Sequence, residues 1–328
     1  NITNSGVDLN GTAQAFGSLA GNLNFNNHNG ALILGANNLS TLYTGRFNTG
    51  TGSITKIGTG TQTFSGANLY TGATNINGGT LLIGNGLEIS NPAASLGTSN
   101  VTVGNGVLTG TLGGNGRVNG AVTVTSTGHL APAMTPSTSN TLTLGNNLTL
   151  NAGATLDFNF GSAGTGGAGS SDRVNVGGNL LLNAGADVLN ITQLPNFGIG
   201  TYTLFTVANG SFTNNATFTI NGNTNFNYAI LRPGDLIDPA ANGGITGATV
   251  PAKQLWLQVL QGNPNLTWLG GINGSWDINT TANWGGASTR FSNGANLTFD
   301  DTATGPATLT VAAGGVSQTF SRSVRMAL

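Results

Sequence analysis

Apolar residues alternate with threonine or asparagine along most of this chain. The runs are short: Val101-Thr102-Val103, Val122-Thr123-Val124, Leu142-Thr143-Leu144, Leu148-Thr149-Leu150 and Leu156-Asp157-Phe158-Asn159-Phe160. A period of two is that of a strand with one face buried. Each run is followed by Gly or Asn, and no helical period persists. The pattern therefore predicts many short strands joined by turns. The stretch FSGANLYTGATNINGGTLLIGNG, Phe64 to Gly86, has this form without one charged residue.

The turns recur. A strand, a bend with glycine and a further apolar stretch can be anchored at Gly11, Gly30, Gly60, Gly79, Gly106, Gly128, Gly153 and Gly185. GNNLTLNAGA (Gly145 to Ala154) and GGNLLLNAGA (Gly177 to Ala186) agree at eight of ten positions. Between them GSAGTGGAGSS, Gly161 to Ser171, reads as a flexible loop inserted in one coil. Strand-only repeats of roughly 20–30 residues predict a β-solenoid, in which each coil closes the core of its neighbour. Eight coils would stack to about 40 Å.

Composition sharpens this picture. Charged residues make up 6% of the 328, with one glutamate (Glu88) and two lysines (Lys56, Lys253). Exposed helix faces are normally built from Glu, Lys, Arg and Gln, so the surface must be covered by Thr, Asn, Ser and backbone. The net charge is −1 with the cations scattered singly, which excludes the basic stripe that nucleic acid requires. No apolar run is long enough for a membrane-spanning helix. Cysteine is absent, so there are no disulfides, Cys-based metal sites or thiol nucleophiles, which suits a chain kept unfolded during export. The start, NITNSGVDLN, is neither a secretory signal nor a basic arm, and a targeting segment is expected outside this sequence.

The texture changes near Gly262. PNLTWLGGINGSWDINTTANW carries Trp268, Trp276 and Trp284, three of the four tryptophans. Alternating strands return in FSNGANLTFDDTATGPATLTVAAGG. The reading is residues 1–262 as a solenoid and 263–328 as the Trp-rich start of a second β module, either cut short or ending in a disordered tail.

SITKIGTGTQTFSGANLYTGATNINGGTLLIGNG, Ser53 to Gly86, closely resembles the passenger-associated transport repeat, also called the autotransporter-associated β-strand repeat. Lys56, Gly58 and Gly60 stand for its lysine-and-glycine strand; Ser65 to Asn68, Tyr70 to Gly72, Thr74 and Asn77 to Leu81 match its continuation, with Leu69 and Ala73 departing conservatively. GTLGGNGRVNGAVTVTSTGHLAP, SSDRVNV and GTYTLFT are similar to other passenger segments, and TWLGGINGSWDINTTANW is similar to a linker that opens a new module. The resemblance implies a right-handed parallel β-helix exported to the surface of a Gram-negative-type bacterium, with a repeat that aids secretion or passenger folding. Members typically add an N-terminal signal and often an outer-membrane barrel.

Candidate chemistry is sparse. Asp300 and Asp301 are the adjacent carboxylates, but strand neighbours point to opposite faces, so a turn or module-start role outweighs acid/base work or a weak Ca²⁺ site. Asp172-Arg173 reads as the exposed turn that opens a strand, with a local ion pair, and Asp235 and Asp238 read likewise. His28 and His129 read as turn residues, since no nucleophile elbow accompanies them. GTGGAG, Gly164 to Gly169, formally fits G-x-G-x-x-G but leads into a strand, so it cradles no phosphate. The sequon Asn190-Ile191-Thr192 is expected by chance. The tryptophans point to capping or module packing, with glycan or partner contact as the lesser reading.

The sequence thus argues for an all-β, right-handed parallel β-helix with Gly/Asn-rich turns, secreted or displayed at the cell surface. It carries no catalytic, cofactor-binding or metal-binding residues. The expected role is a non-enzymatic stalk or adhesive fibre, with end-to-end self-association or a glycan or cell-surface partner. The alternatives are a self-assembling filament subunit and, in another class, a β-helix protein that binds or degrades polysaccharide.

Overall fold

The computed structural model describes residues 2–3, 6–26, 29–84, 94–133, 135–164, 170–223 and 226–262, and then 265–273, 275–277, 282–286, 296–299, 304 and 310–311. Glu88, His28, Asp300, Asp301 and most of the glycine-rich loop (165–169) lie outside the described residues. The chain divides into two compact units, residues 1–223 with 228–260, and residues 224–227 with 261–328.

The first unit is a parallel β-helix whose coils present three faces. The first face stacks Gln14–Phe16, Ala31–Leu34, Ser53–Lys56, Thr74–Ile76, Val101–Val103, Val122–Val124, Leu148–Leu150 and the start of Leu180–Gln193, and ends on Phe212–Asn221. The second stacks Thr41–Tyr43, Thr61–Phe64, Gly79–Ile83, Gly110–Gly113, Gly128–Ala131 and Thr155–Phe160 onto the later half of Leu180–Gln193. All strand pairings on these two faces are parallel. The third face carries Ser95–Leu96, Arg117–Val118, Thr141–Leu144, Arg173–Val176 and Gly200–Val207, on which Gln254–Gln261 lies antiparallel. At the other end Ile2–Thr3 lies antiparallel on Gly6–Asp8. Among the described residues there is no α-helix, only a 3-10 turn at Pro239–Ala241, and no helix is long and apolar enough to cross a membrane.

Alternation explains the strands. On the first face Leu32, Ile54, Val101, Val122, Leu148 and Leu180 point inward and are at most 1% exposed, while the residues between them point out. A single strand cannot shield its apolar side, and the coil above and below completes the core. On the first face coil length varies from 18 residues, Gln14 to Leu32, to 32, Leu148 to Leu180. The glycine anchors do not all mark one corner, which corrects the period read from them. Gly79 lies in register with Gly110 and Gly128 rather than with Gly106, whereas Gly11 and Gly30 precede first-face strands. Glycine turns occur at more than one corner, so glycine spacing is not coil spacing.

The near-identical decapeptides also slip. Leu148 pairs with Leu180, an offset of 32, but Thr155 pairs with Val188, an offset of 33. One extra residue is absorbed at the corner before Val188. The slip keeps Leu189 stacked on Leu156 in the core and turns Asp187 inward.

Beside the antiparallel strand Gln254–Gln261, Leu231, Ile237, Val250 and Trp256 form a small core of their own. In the second unit Asn265–Trp268 pairs antiparallel with Trp284–Gly286 and parallel with Asn296–Thr298, and Ser275–Trp276 pairs with Thr310–Val311.

Candidate functional site

One coil carries a buried cation and two buried amides in its lining. Its inward column on the first face reads Leu34, Lys56, Ile76 on successive coils, so an ammonium sits where its neighbours are aliphatic. Lys56 is 1% exposed. Its Nζ donates to the carbonyls of Ile57 (2.6 Å), Gly58 (3.4 Å) and Gly78 (3.1 Å). Burial draws its pKa below the ordinary ammonium value, yet acceptor-only carbonyls suit the protonated form. Two glycines make room. A Cβ at Gly35 or Gly79 would stand 3.0 or 2.9 Å from Nζ, and both residues have positive φ, +110° and +61°.

Gln62 and Asn68 extend the polar lining. Gln62 Oε1 accepts from the Leu19 amide and the Thr41 hydroxyl, both at 3.1 Å, and Nε2 donates to Leu19 O at 2.9 Å. Asn68 Oδ1 accepts from Phe47 N at 2.9 Å, while Nδ2 donates to Gly66 O at 3.1 Å and Ser95 O at 2.7 Å. Each amide therefore joins its own coil to others, with bonds as directional as the ladder itself. The Tyr70 hydroxyl, its pKa pushed up by burial, meets Thr74 Oγ1 at 2.6 Å. Phe25, Tyr43, Phe47, Phe64 and Tyr70 pack on one another beside these groups, with ring centroids 5.2–6.2 Å apart.

The other candidates fall into separate places. His129 is not a turn residue: it points outward from the strand Gly128–Ala131, where Nδ1 meets Asp157 Oδ2 of the next coil at 2.6 Å. Asn190 Nδ2 donates to Asp157 Oδ1 (2.7 Å) and Asn221 Nδ2 to Asn190 Oδ1 (2.8 Å), so four coils are linked in series. Burial raises the Asp157 pKa, but the bonds from His129 and Asn190 and the His129 charge outweigh it and hold the carboxyl below its usual value. The sequon asparagine is thus a rung of a polar ladder. The pairing of His129 with Asp157 escaped the sequence because their 28-residue separation acquires meaning only when the coil length is known.

Asp172 is not in an exposed pair. It is fully buried and accepts from the amides of Asn140 (2.6 Å) and Asn159 (2.8 Å). Arg173 Nε donates to Thr141 Oγ1 at 2.8 Å. Burial pushes the Asp172 carboxyl up to about 7 against the pull of its backbone donors. Asp187, on the slipped corner, is also fully buried. Its oxygens face the amides of Gly153 and Ala154, which already donate to Ala186 O and Asn151 O, and neither makes a hydrogen bond to it. Burial raises this carboxyl to about 6. Asp235 and Asp238 cap local turns, accepting from the amides of Arg232 (2.7 Å) and Ala240 (2.8 Å).

The tryptophan trio is not a platform. Trp268, Trp276 and Trp284 are 2–6% exposed and pack with Leu266, Leu297 and Phe299 as the core of the second unit. Trp268 and Trp276 stand edge-on to Trp284, with centroids at 5.1 and 5.7 Å. Among the described residues no cluster of three His, Cys, Asp or Glu could hold a metal ion.

The polar-lined coil coincides with a known sequence unit. A family model, the passenger-associated transport repeat, matches residues 54–83. That segment contains Lys56, Gln62, Asn68, Tyr70, Thr74 and Gly79. No curated protein matches the chain with significance.

Proposed function

Residues 54–83 are a passenger-associated transport repeat, and on that premise we propose that this chain is a non-enzymatic β-helical segment of an autotransporter-type passenger. It acts outside the cell or at its surface as a stalk or adhesive fibre. Within it the repeat is the coil that sets the register on which the others stack. One observation carries the reading: Lys56, Gln62 and Asn68 line a single coil and are satisfied by backbone groups of that coil and its neighbours. Apolar stacks discriminate little against a slip of two residues, which keeps the same face inward. A buried polar group without its partner costs about 1–3 kcal/mol, so a slipped register is penalised at this coil. A passenger crosses membranes unfolded, and such a coil gives the emerging chain one arrangement on which to close.

Hydrogen exchange pulsed during refolding tests this. Amides of residues 47–83 gain protection first, and Asn68→Leu delays protection on both flanking coils. Earlier protection of residues 141–182 than of 47–83 would overturn the role assigned to the repeat. Display of the chain on an outer-membrane anchor gives the cellular arm, with less protease-resistant passenger at the surface for Lys56→Met than for wild type. Equal amounts would count against an export role.

A further inference from the structure

The first unit ends on an open strand edge, and we infer that Arg232 guards it, holding the chain back from pairing edge to edge with a second copy of itself. Phe212–Asn221, FTNNATFTIN, is the last strand on the first and second faces. Among the described residues it pairs on one side only. It is ten residues long, uncharged and rich in Phe, Thr and Ile. Such an edge presents a row of amides and carbonyls to any strand that meets it, and natural edges are blunted by charges, proline or short length. This strand has none of the three.

Two side chains occupy the middle of that edge. The Ala216 amide donates to Asn214 Oδ1 at 3.0 Å, and the Ala216 carbonyl accepts from Arg232 Nη2 at 3.3 Å. Both backbone groups of Ala216 are thereby taken. Arg232 directly follows Phe226–Leu231, the strand that extends the third-face sheet beyond Gln254–Gln261, so its side chain links the two sheets at this end. Its turn is fixed. The Arg232 amide donates to Asp235 Oδ2 at 2.7 Å, and the Asp235 amide donates back to Arg232 O at 3.0 Å. Gly234 N donates to Val250 O at 3.0 Å and Val250 N to Asp235 O at 2.9 Å. The small core of Leu231, Ile237, Val250 and Trp256 anchors both arms of this turn. Asp235 therefore does more than cap a turn: it holds the residue that reaches the edge.

The strand is complementary to itself. Laid antiparallel on its own copy about a two-fold axis, it must keep inward residues opposite inward ones. Centred on Ala216, the pairing sets Phe212 against Ile220 and Asn214 against Phe218 on the inner side. On the outer side it sets Thr213 against Thr219 and Asn215 against Thr217. No charge on the strand opposes this contact. Ala216 lies on the axis, where its amide and carbonyl would be exchanged with those of the copy. Those are the two groups that Asn214 and Arg232 hold. A contact of this symmetry closes as a dimer and recruits no third copy.

The test is the oligomeric state of the purified full chain, read by sedimentation velocity over a concentration series. Arg232→Ala frees the Ala216 carbonyl in both copies and lowers the dimer dissociation constant about tenfold from that of wild type, the worth of one or two net hydrogen bonds. Asn215→Lys in the Arg232→Ala background sets a lysine from each copy beside the axis and restores the monomer. Should Arg232→Ala not fold, as judged by circular dichroism, Asn214→Ala frees the Ala216 amide instead and shifts the equilibrium the same way. The inference is overturned if folded Arg232→Ala and Asn214→Ala sediment as wild type does, or if wild type dimerises as tightly as Arg232→Ala. It is also overturned if Asn215→Lys leaves the dimer intact, or if open-ended polymers form in place of dimers. None of those results affects the register role of the repeat, which is read from exchange kinetics.

Discussion

The coil around Lys56 and the coils from Val101 to Leu182 solve the same packing problem in different ways. The later coils stack Val101, Val122, Leu148 and Leu180 in one column and Val103, Val124, Leu150 and Leu182 in the next, each 0–1% exposed. The repeat coil interrupts both columns, with Thr74 below Ile54 in one and Lys56 between Leu34 and Ile76 in the other. Aliphatic stacks supply the hydrophobic term, which is large and non-directional; it forbids a one-residue slip, which would turn the column outward, but discriminates less against a slip of two. The polar coil adds less burial and more direction. Their division of labour separates what stabilises this helix from what fixes its alignment.

The largest effect should come from emptying the polar coil. Lys56→Ala leaves buried carbonyls without a donor and a cavity where the stem lay. Unpaired buried carbonyls cost about 1–3 kcal/mol and the cavity left by the stem about 2–5 kcal/mol, read as a lower urea midpoint for the first unit. Lys56→Met refills the volume and recovers only part of the loss. A full recovery would mean that the stem, rather than the ammonium, is what the coil uses.

In the apolar coils the outcome should reverse. Leu150→Ala costs about 2–5 kcal/mol through transfer and cavity terms, whereas Leu150→Met, which conserves volume, costs less than ~1.5 kcal/mol. If methionine is tolerated equally well at residues 56 and 150, the contrast between the two regions fails.

Much of this contrast was legible in the chain. Period-two alternation marked Val101–Val103, Val122–Val124 and Leu148–Leu150 as strands with both valines or leucines inward. The same alternation places Ile54 and Lys56 of SITK on one side, so the buried lysine was available from the pattern once Ile54 was taken as core. Asp187 was not. The match of GGNLLLNAGA to GNNLTLNAGA carries Asp187 onto Thr155, whereas the structure pairs Val188 with Thr155, and only the stacking of Leu189 on Leu156 shows that a residue has been absorbed. Local identity competed with core packing there, and packing won. The tryptophans were visible as a cluster, but whether indoles face outward or each other is decided by the tertiary fold.

Asp187 gives the next prediction in size. Its folded pKa, about 6, lies above the ordinary 3.8, so its contribution favours folding below pH ~4 and is lost as pH rises toward 6. Asp172, raised to about 7, acts in the same direction over a wider window. Stability of the first unit should therefore fall between pH 4 and pH 7. Asp187→Asn removes the titration, shrinking that fall by about 2 kcal/mol at the usual 1.4 kcal/mol per pKa unit. Urea midpoints at the two pH values measure it. An unchanged slope would show that the corner opens to water around the charged carboxylate.

The smallest effect belongs to the second face, and it runs the other way with pH. Asp157 is held below its ordinary pKa, so its contribution is present above that value and is lost as acid protonates it through the folded pKa. The pair with His129 is about a third exposed on each side, and pairs of this kind are worth well under ~1 kcal/mol. His129→Ala should lower the midpoint slightly, because it removes one of the two side-chain partners of Asp157. Asn190→Ala in the same background separates the two contacts, because Asn190 donates to the other carboxylate oxygen, Asp157 Oδ1. If His129→Ala and Asn190→Ala cost the same, the two contacts act as equivalent hydrogen bonds to Asp157, and this face then contributes to alignment as the repeat coil does, by direction rather than by charge.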